Sequence, residues 1–264
     1  MRIVLAALAA FLLSSCAGVP AIDDATRAEL APSGTLRIGI NYGNAVLVQR
    51  NATTGELTGI APDLAREFAR RAGVPFVLVP FDAAGRMADA VKQGAWDVAF
   101  LAVDPVRGND IGFTAPYLEI EGAYLVRNES PIRANEDVDR PGVRISVGAK
   151  SAYDLFLTRE IRRATLVRVP TSAAAIDEFL ARGYEVAAGV KQPIQAAAAA
   201  MPGLRVLPGR FMAIGQGSGV PKGRERARQY LAAFIEDVKA SGFVAASMER
   251  HGIKGASVAP PARP

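Results

Sequence analysis

Apolar and polar positions fall along the chain in blocks that read as short buried strands separated by one-sided helices. Residues 96–103 form an almost unbroken apolar run of strand length, the pattern of a strand covered by helices on both faces. Pro105 ends it, because proline has no N–H to give to a ladder. Upstream, 35–40 reads as a strand with a turn at 41–44, and 45–49 with 59–60 as hairpin arms around the loop 51–55. Pro62 and Asp63 open a helix whose Leu64, Ala65, Phe68, Ala69 and Ala72 share one face, and Gly73 and Pro75 end it. A strand at 76–79 and a helix at 82–94, with Met87 and Val91 inward, complete the first unit.

The pattern then repeats. An extended segment at 123–126 and a polar, proline-marked crossing at 128–139 lead to a strand at 143–147. Ser151 caps a helix carrying Tyr153, Phe156 and Leu157. A strand at 166–169 precedes a helix begun by Thr171 and Ser172, with Ile176, Phe179 and Leu180 expected inside. A strand at 185–190, an alanine-rich helix from Pro193 to Met201, and short strands at 204–207 and 211–214 follow. A helix at 225–240 has Tyr230, Leu231, Phe234, Ile235 and Val238 on its inner side, and 244–249 is a last short helix. The tail after Gly255 is expected to be disordered. Alternation of strand and helix predicts an α/β protein with doubly wound sheets. Two such units, joined by extended segments near 118–130 and 212–220, would enclose a cleft suited to a ligand.

Composition narrows the function classes. The chain has 264 residues and a formal charge of +5, with its densest basic group at Arg205, Arg210, Lys222, Arg224, Arg226 and Arg228. No aromatics alternate with these, so a solvated basic face is favoured over a nucleic-acid groove. One cysteine and one histidine exclude an internal disulfide and give no support to a zinc site. No cofactor is expected. At the amino end, Arg2 precedes an apolar run from Ile3 to Leu13 and the sequence Ser14-Ser15-Cys16. The run is too short for a permanent span but suits a signal peptide. It resembles a bacterial lipobox, which implies loss of residues 1–15 and lipidation of Cys16; an ordinary signal peptide is the alternative. Residues 16–33 are expected to be a linker.

Two groups stand out as candidate chemistry. Arg107 lies in the loop beyond the carboxyl end of the 96–103 strand, where open α/β sheets bind ligands. A guanidinium there can clamp a carboxylate or phosphate, although a solvated loop arginine is the alternative. Ser151 and its neighbouring N–H groups form a helix N-terminus, a natural anion site, or simply a cap. Gln192 and Gln216 lie near the expected cleft and hinge, where each can bond a ligand or hold the hinge.

Several segments, taken in order, then carry a resemblance. They are Gly34-Thr35-Leu36-Arg37-Ile38-Gly39, the run from Gly55 to Leu64, Gly94-Ala95-Trp96-Asp97-Val98, Asp104-Pro105-Val106-Arg107, Phe113-Thr114-Ala115-Pro116-Tyr117, Ser151-Ala152-Tyr153-Asp154, and Ser241-Gly242. The chain resembles the family 3 bacterial solute-binding proteins of polar amino-acid ABC importers over about residues 34–253. The resemblance implies a two-lobed, periplasmic-binding-protein-like Venus flytrap of type II. Lobe 1 would comprise 34–118 and 214–254, lobe 2 would comprise 119–213, and 255–264 would be the tail. It implies a small anionic or zwitterionic solute, an ABC permease as partner, a monomer in the periplasm, and no catalytic residue.

By the same resemblance, Arg107 holds the ligand carboxylate and Ser151 supports it from the second lobe. Asp63 falls on a structural helix-start position. Asn44 stands where the family has a stacking aromatic, with Tyr42 two residues away as a substitute. Ala102 stands where a hydroxyl donor is usual, leaving backbone N–H groups to serve. The acid that pairs with an α-ammonium falls near Val190, with Lys191 beside it and no carboxylate. Arg107 with Lys191 would therefore suit a small anion, including one with two acidic groups, better than a standard amino acid. An enzyme of the dehydratase type, using Glu119, Glu121 or Lys191, and a sensory module for a membrane receptor are the rival readings.

Overall fold

The computed structural model describes residues 22–263; the expected signal peptide and Cys16 lie outside them. Helix α1 (Asp24–Leu30) precedes strand β1 (Leu36–Asn41). The hairpin strands β2 (Gln49–Arg50) and β3 (Leu57–Thr58) lead into α2 (Ile60–Ala72). Next come β4 (Phe76–Phe81) and α3 (Ala84–Asp89), which tightens into a 3-10 turn at Ala90–Gln93, and then β5 (Val98–Ala102). Strand β6 (Ile111–Phe113) precedes the long β7 (Leu118–Arg127). The second unit is β8 (Arg144–Gly148), α4 (Ala152–Glu160), β9 (Thr165–Val169), α5 (Ser172–Arg182), β10 (Val186–Val190), α6 (Lys191–Ala200) and β11 (Leu204–Val206). The chain returns through β12 (Met212–Pro221) to α7 (Glu225–Ala240), α8 (Phe243–Arg250) and β13 (Ser257–Val258).

Both units share one sheet, ordered β4-β1-β5-β12-β7-β10-β8-β9. Its two ends are parallel triplets, β4-β1-β5 and β10-β8-β9. The antiparallel pair β7 and β12 joins them, with Met212 opposite Gly122 and Gln216 opposite Leu118. Each parallel triplet is packed against helices, as its apolar strands require; all five residues of β5 are buried. The face of α2 predicted from spacing is buried, and Phe68 meets Phe234 of α7 edge-on at 5.0 Å. Gly73 ends α2 in the left-handed region at φ 60°, where glycine is at no disadvantage. Asp63, read as structural, ties α2 to α8, accepting hydrogen bonds from Ser247 and Arg250 and lying 2.9 Å from His251 Nε2.

Four expectations need correction. The linker region holds α1, whose Leu30 is fully buried and whose Glu29 accepts from the Ala227 N–H of α7. Its Leu30 and Thr26 give it an apolar side, enough to dock a short helix. The tail is ordered against the sheet: Ser257 and Val258 pair with Glu119 and Leu118 of β7, and the Ala259 N–H bonds to Tyr117. That end of β7 extends beyond its pairing with β10, so the tail satisfies a free strand edge. Leu180 is exposed, because α5 buries Ala175 and Phe179 and nothing covers the next stripe. Finally, the short strand at 211–214 and the extended segment near 212–220 are one ten-residue strand, β12, in which Gly215, Gly217 and Gly219 leave no apolar run beyond Ile214. A Cβ on them would meet Pro116, Val103 and Ile111 at 2.8, 2.7 and 2.5 Å, so that face of the strand has no room for side chains.

One buried carboxylate fastens β1, β5 and α7. Asp97 is fully buried and accepts two hydrogen bonds from the Arg37 side chain, one from its backbone and one from Arg224. Burial works to raise its pKa, but the Arg37 and Arg224 hydrogen bonds outweigh this and hold it below the usual value. Glu67, bonded by Arg70 and Arg71, is lowered to about 2. Carboxylates with depressed native pKa values contribute stability above their unfolded pKa and lose it as pH falls through the native value. Thermal unfolding should therefore show stability falling below about pH 4.5 and continuing to fall toward about pH 2. Asp97→Ala should cost about 3 kcal/mol in denaturant unfolding, the lower end for a broken buried pair, since both arginines retain partial access to water.

Candidate functional site

A cavity of about 310 Å³ lies between the two ends of the sheet. The carboxyl end of β5 supplies one wall. Beyond it, Asp104 accepts from the Val106 N–H and turns the chain, so that Arg107 comes back beneath the strand end. Arg107 is 4% exposed. Its Nη1 donates to the Ala102 carbonyl at 2.8 Å and its Nη2 to the Lys150 carbonyl at 3.0 Å. Its buried Nε has no partner among the described residues. Burial pushes the guanidinium down to about 10, with Asp104 and Asp89 opposing that shift. A desolvated cation with a spare donor favours an anion beside it.

The second wall is built from helix starts. Ser151 caps α4, accepting from the Asp154 N–H at 3.1 Å. Ala152 and Tyr153, the first two helical residues, also line the cavity, and N–H groups in that position have no acceptor within their helix. The Tyr153 hydroxyl donates to Ser172 Oγ at 2.6 Å, fixing the start of α5 beside that of α4. Leu47, Phe100, Ile176, Ile194 and Ile214 give the rest of the wall an apolar character.

Five of the residues singled out from sequence meet here: Arg107, Ser151, Ala102, Asn44 and Gln216. Ala102 takes part through its carbonyl, which orients Arg107, where its N–H had been expected to serve. Asn44 lines the wall while its Oδ1 accepts from the Val46 N–H at 3.2 Å. Three residues stand elsewhere. Tyr42 lies under Arg50, whose guanidinium carbon is 5.0 Å from the ring centre. Lys191 pairs with Glu121 at 2.6 Å, and Gln192 Nε2 donates to the Lys254 carbonyl at 2.9 Å. Both sit in the first turn of α6, whose cavity-facing residues are Pro193 and Ile194. The idea of Lys191 as a second anion clamp is thereby withdrawn. Sequence reasoning missed Ser172 and Asp177 as lining residues and took Tyr153 and Ile176 for plain core. Tyr153 was within reach, two residues past Ser151 on the same helix tip; Asp177, on the outer side of a helix, gave no signal.

The two ends of the sheet are clasped across this cavity. Besides Arg107 and the Lys150 carbonyl, Lys150 Nζ meets Asp89 at 2.6 Å and Arg159 meets Asp104 at 3.0 Å. Lys150 turns with φ 56°, pressing on Gly85 of α3. A Cβ on Gly85 would stand 2.6 Å from the Lys150 Cβ. Gly85→Val should therefore shift the molecule toward an opened form. An overpacking cost of about 1–3 kcal/mol predicts an affinity loss of about tenfold and a larger radius of gyration in solution scattering.

Among the described residues no group of side chains could hold a metal ion, and no helix is long and apolar enough to cross a membrane. No curated protein matches the chain. Solved structures share its fold. A mutant of ArgBP from T. maritima superposes with a TM-score of 0.73 at 20% identity, covering 87% of this chain and 100% of that one. An amino acid ABC transporter substrate-binding protein from Streptococcus pneumoniae bound to L-arginine gives 0.72 at 16%, covering 86% and 97%. An ancestral amino acid-binding protein, a precursor of cyclohexadienyl dehydratase, gives 0.69 at 21%, covering 84% and 97%. The model of the bacterial extracellular solute-binding proteins, family 3, matches residues 36–254. With that match spanning most of the chain and a ligand-sized cavity between two clasped halves, the protein belongs to the family 3 bacterial extracellular solute-binding proteins.

Proposed function

We propose that the chain is the substrate-binding component of an ABC importer, which captures a small carboxylate-bearing solute between its lobes and presents it to a membrane permease. The observation that carries this reading is Arg107, buried, bordering the cavity and holding an unpartnered Nε. The start of α4 lies on the same cavity from the other lobe. A carboxylate placed between them would be gripped from both sides, so binding would favour closure. Glu119, Glu121 and Lys191, the candidates for acid–base catalysis, do not line that cavity, which supports binding over turnover. The reading includes a monomer, and a lipid on Cys16 that tethers the body to a membrane facing the periplasm.

Arg107→Ala should weaken binding of the carboxylate ligand at least tenfold in calorimetry, since a charged hydrogen bond contributes about 1.5–3 kcal/mol. Lys191→Ala, which breaks only the pair with Glu121, should leave affinity within about twofold. Unchanged affinity in the Arg107 variant would remove the carboxylate from this site. The anchor is tested separately: Cys16→Ser should move the protein from the membrane fraction to the soluble periplasmic fraction, and retention in the membrane would exclude lipidation there.

A further inference from the structure

The charge inventory of the cavity bears on what sits beside the ligand carboxylate. Arg107 is its one cationic lining residue among the described residues, and Asp177 its one carboxylate. Asp177 is exposed and lies five residues into α5 from Ser172, roughly 7–8 Å along the helix at 1.5 Å per residue. The end of β10 offers the uncharged Gly189 and Val190. Asp104 and Asp89 are already engaged, by Arg159 and Lys150. A carboxylate ligand would neutralise Arg107. A zwitterionic ligand would leave its ammonium beside a guanidinium, with only the exposed Asp177 on the cavity lining to offset it, which is costly.

A neutral polar group is present instead. Gln216 is 3% exposed and lines the cavity. Ile214 and Gln216 line the cavity, while Gly215 and Gly217 between and beyond them face Pro116 and Val103 on the other side of β12. Alternation along the strand thus aims the Gln216 amide into the cavity. Gln216 is also the register partner of Ala102, whose carbonyl holds Arg107. The amide and the guanidinium therefore flank the same stretch of β5 on the cavity wall. An amide can donate to a carbonyl oxygen or accept from a hydroxyl, with no charge to balance.

Resting on the carboxylate reading above, we infer that this site selects a small acid bearing a neutral oxygen, keto or hydroxyl, next to its carboxylate, on an apolar body, in preference to the α-amino acid of the same skeleton. Arg107 takes the carboxylate, Gln216 takes the adjacent oxygen, and the wall of Leu47, Phe100, Ile176 and Ile214 takes the tail.

The test is calorimetry on the purified protein with matched acids on the valine, leucine and phenylalanine skeletons: the α-keto acid, the α-hydroxy acid, the amino acid and the unsubstituted acid. On the best skeleton the keto or hydroxy acid should bind at least tenfold tighter than the amino acid. Gln216→Met should weaken that acid at least tenfold more than it weakens the unsubstituted acid, with thermal unfolding close to that of the parent protein showing that the variant is folded. Tighter binding of the amino acid would overturn the inference while leaving the carboxylate reading intact, provided Arg107→Ala still abolished it; its loss in Asp177→Asn would then identify the partner of the ammonium. Equal loss of substituted and unsubstituted acids in Gln216→Met would show that Gln216 does not recognise the adjacent oxygen. Binding of none of these acids would overturn the carboxylate reading and this inference together.

Discussion

A guanidinium removed from water must be compensated, and much of this molecule is arranged around the partial compensation of Arg107. Two main-chain carbonyls reach it, one from each side of the cavity, and carbonyl dipoles do not cancel a full charge. The remaining deficit is a standing preference for an anion at that spot. It also explains why the clasp and the ligand site share atoms. The Lys150 carbonyl that bonds Arg107 belongs to the turn just before the α4 cap, so the contact that closes the cleft sets the second helix tip over the first sheet's strand end.

The sheet makes this geometry reproducible. Two parallel triplets are rigid because helices cover them, and the strands between them, β7 and β12, are antiparallel and continuous through both. Bending is thereby confined to a narrow zone. Gln216 sits within that zone, where one face of β12 is stripped to glycine and the other carries side chains toward the cavity.

Much of this was legible in the sequence, for identifiable reasons. Buried parallel strands leave apolar runs, and β5 was read correctly from one. The helix at 225–240 matched α7 because its apolar positions keep strict spacing. Arg107 was singled out because a proline marked the strand's end, and Ser151 because capping residues are local signals; both border the cavity. The failures share a different cause. β12 was read as a short strand and a joining segment because of its glycines, whose reason is the close approach of Pro116, Val103 and Ile111 from elsewhere in the chain. Lys191 was placed in the cleft because the resemblance puts the ammonium-pairing acid near Val190, and Gln192 because it lies next along the chain; only α6's packing decides that Pro193 and Ile194 face inward. The tail was dismissed on composition, while its partner, a free edge of β7, lies more than a hundred residues upstream.

That final strand has a practical side. Because Ser257 and Val258 are stitched to the same β7 that joins the two ends of the sheet, this segment is part of the sheet and not a loose end. An affinity handle or fluorescent reporter fused directly there would pull on a strand of the central sheet, so it belongs at the end of an added spacer.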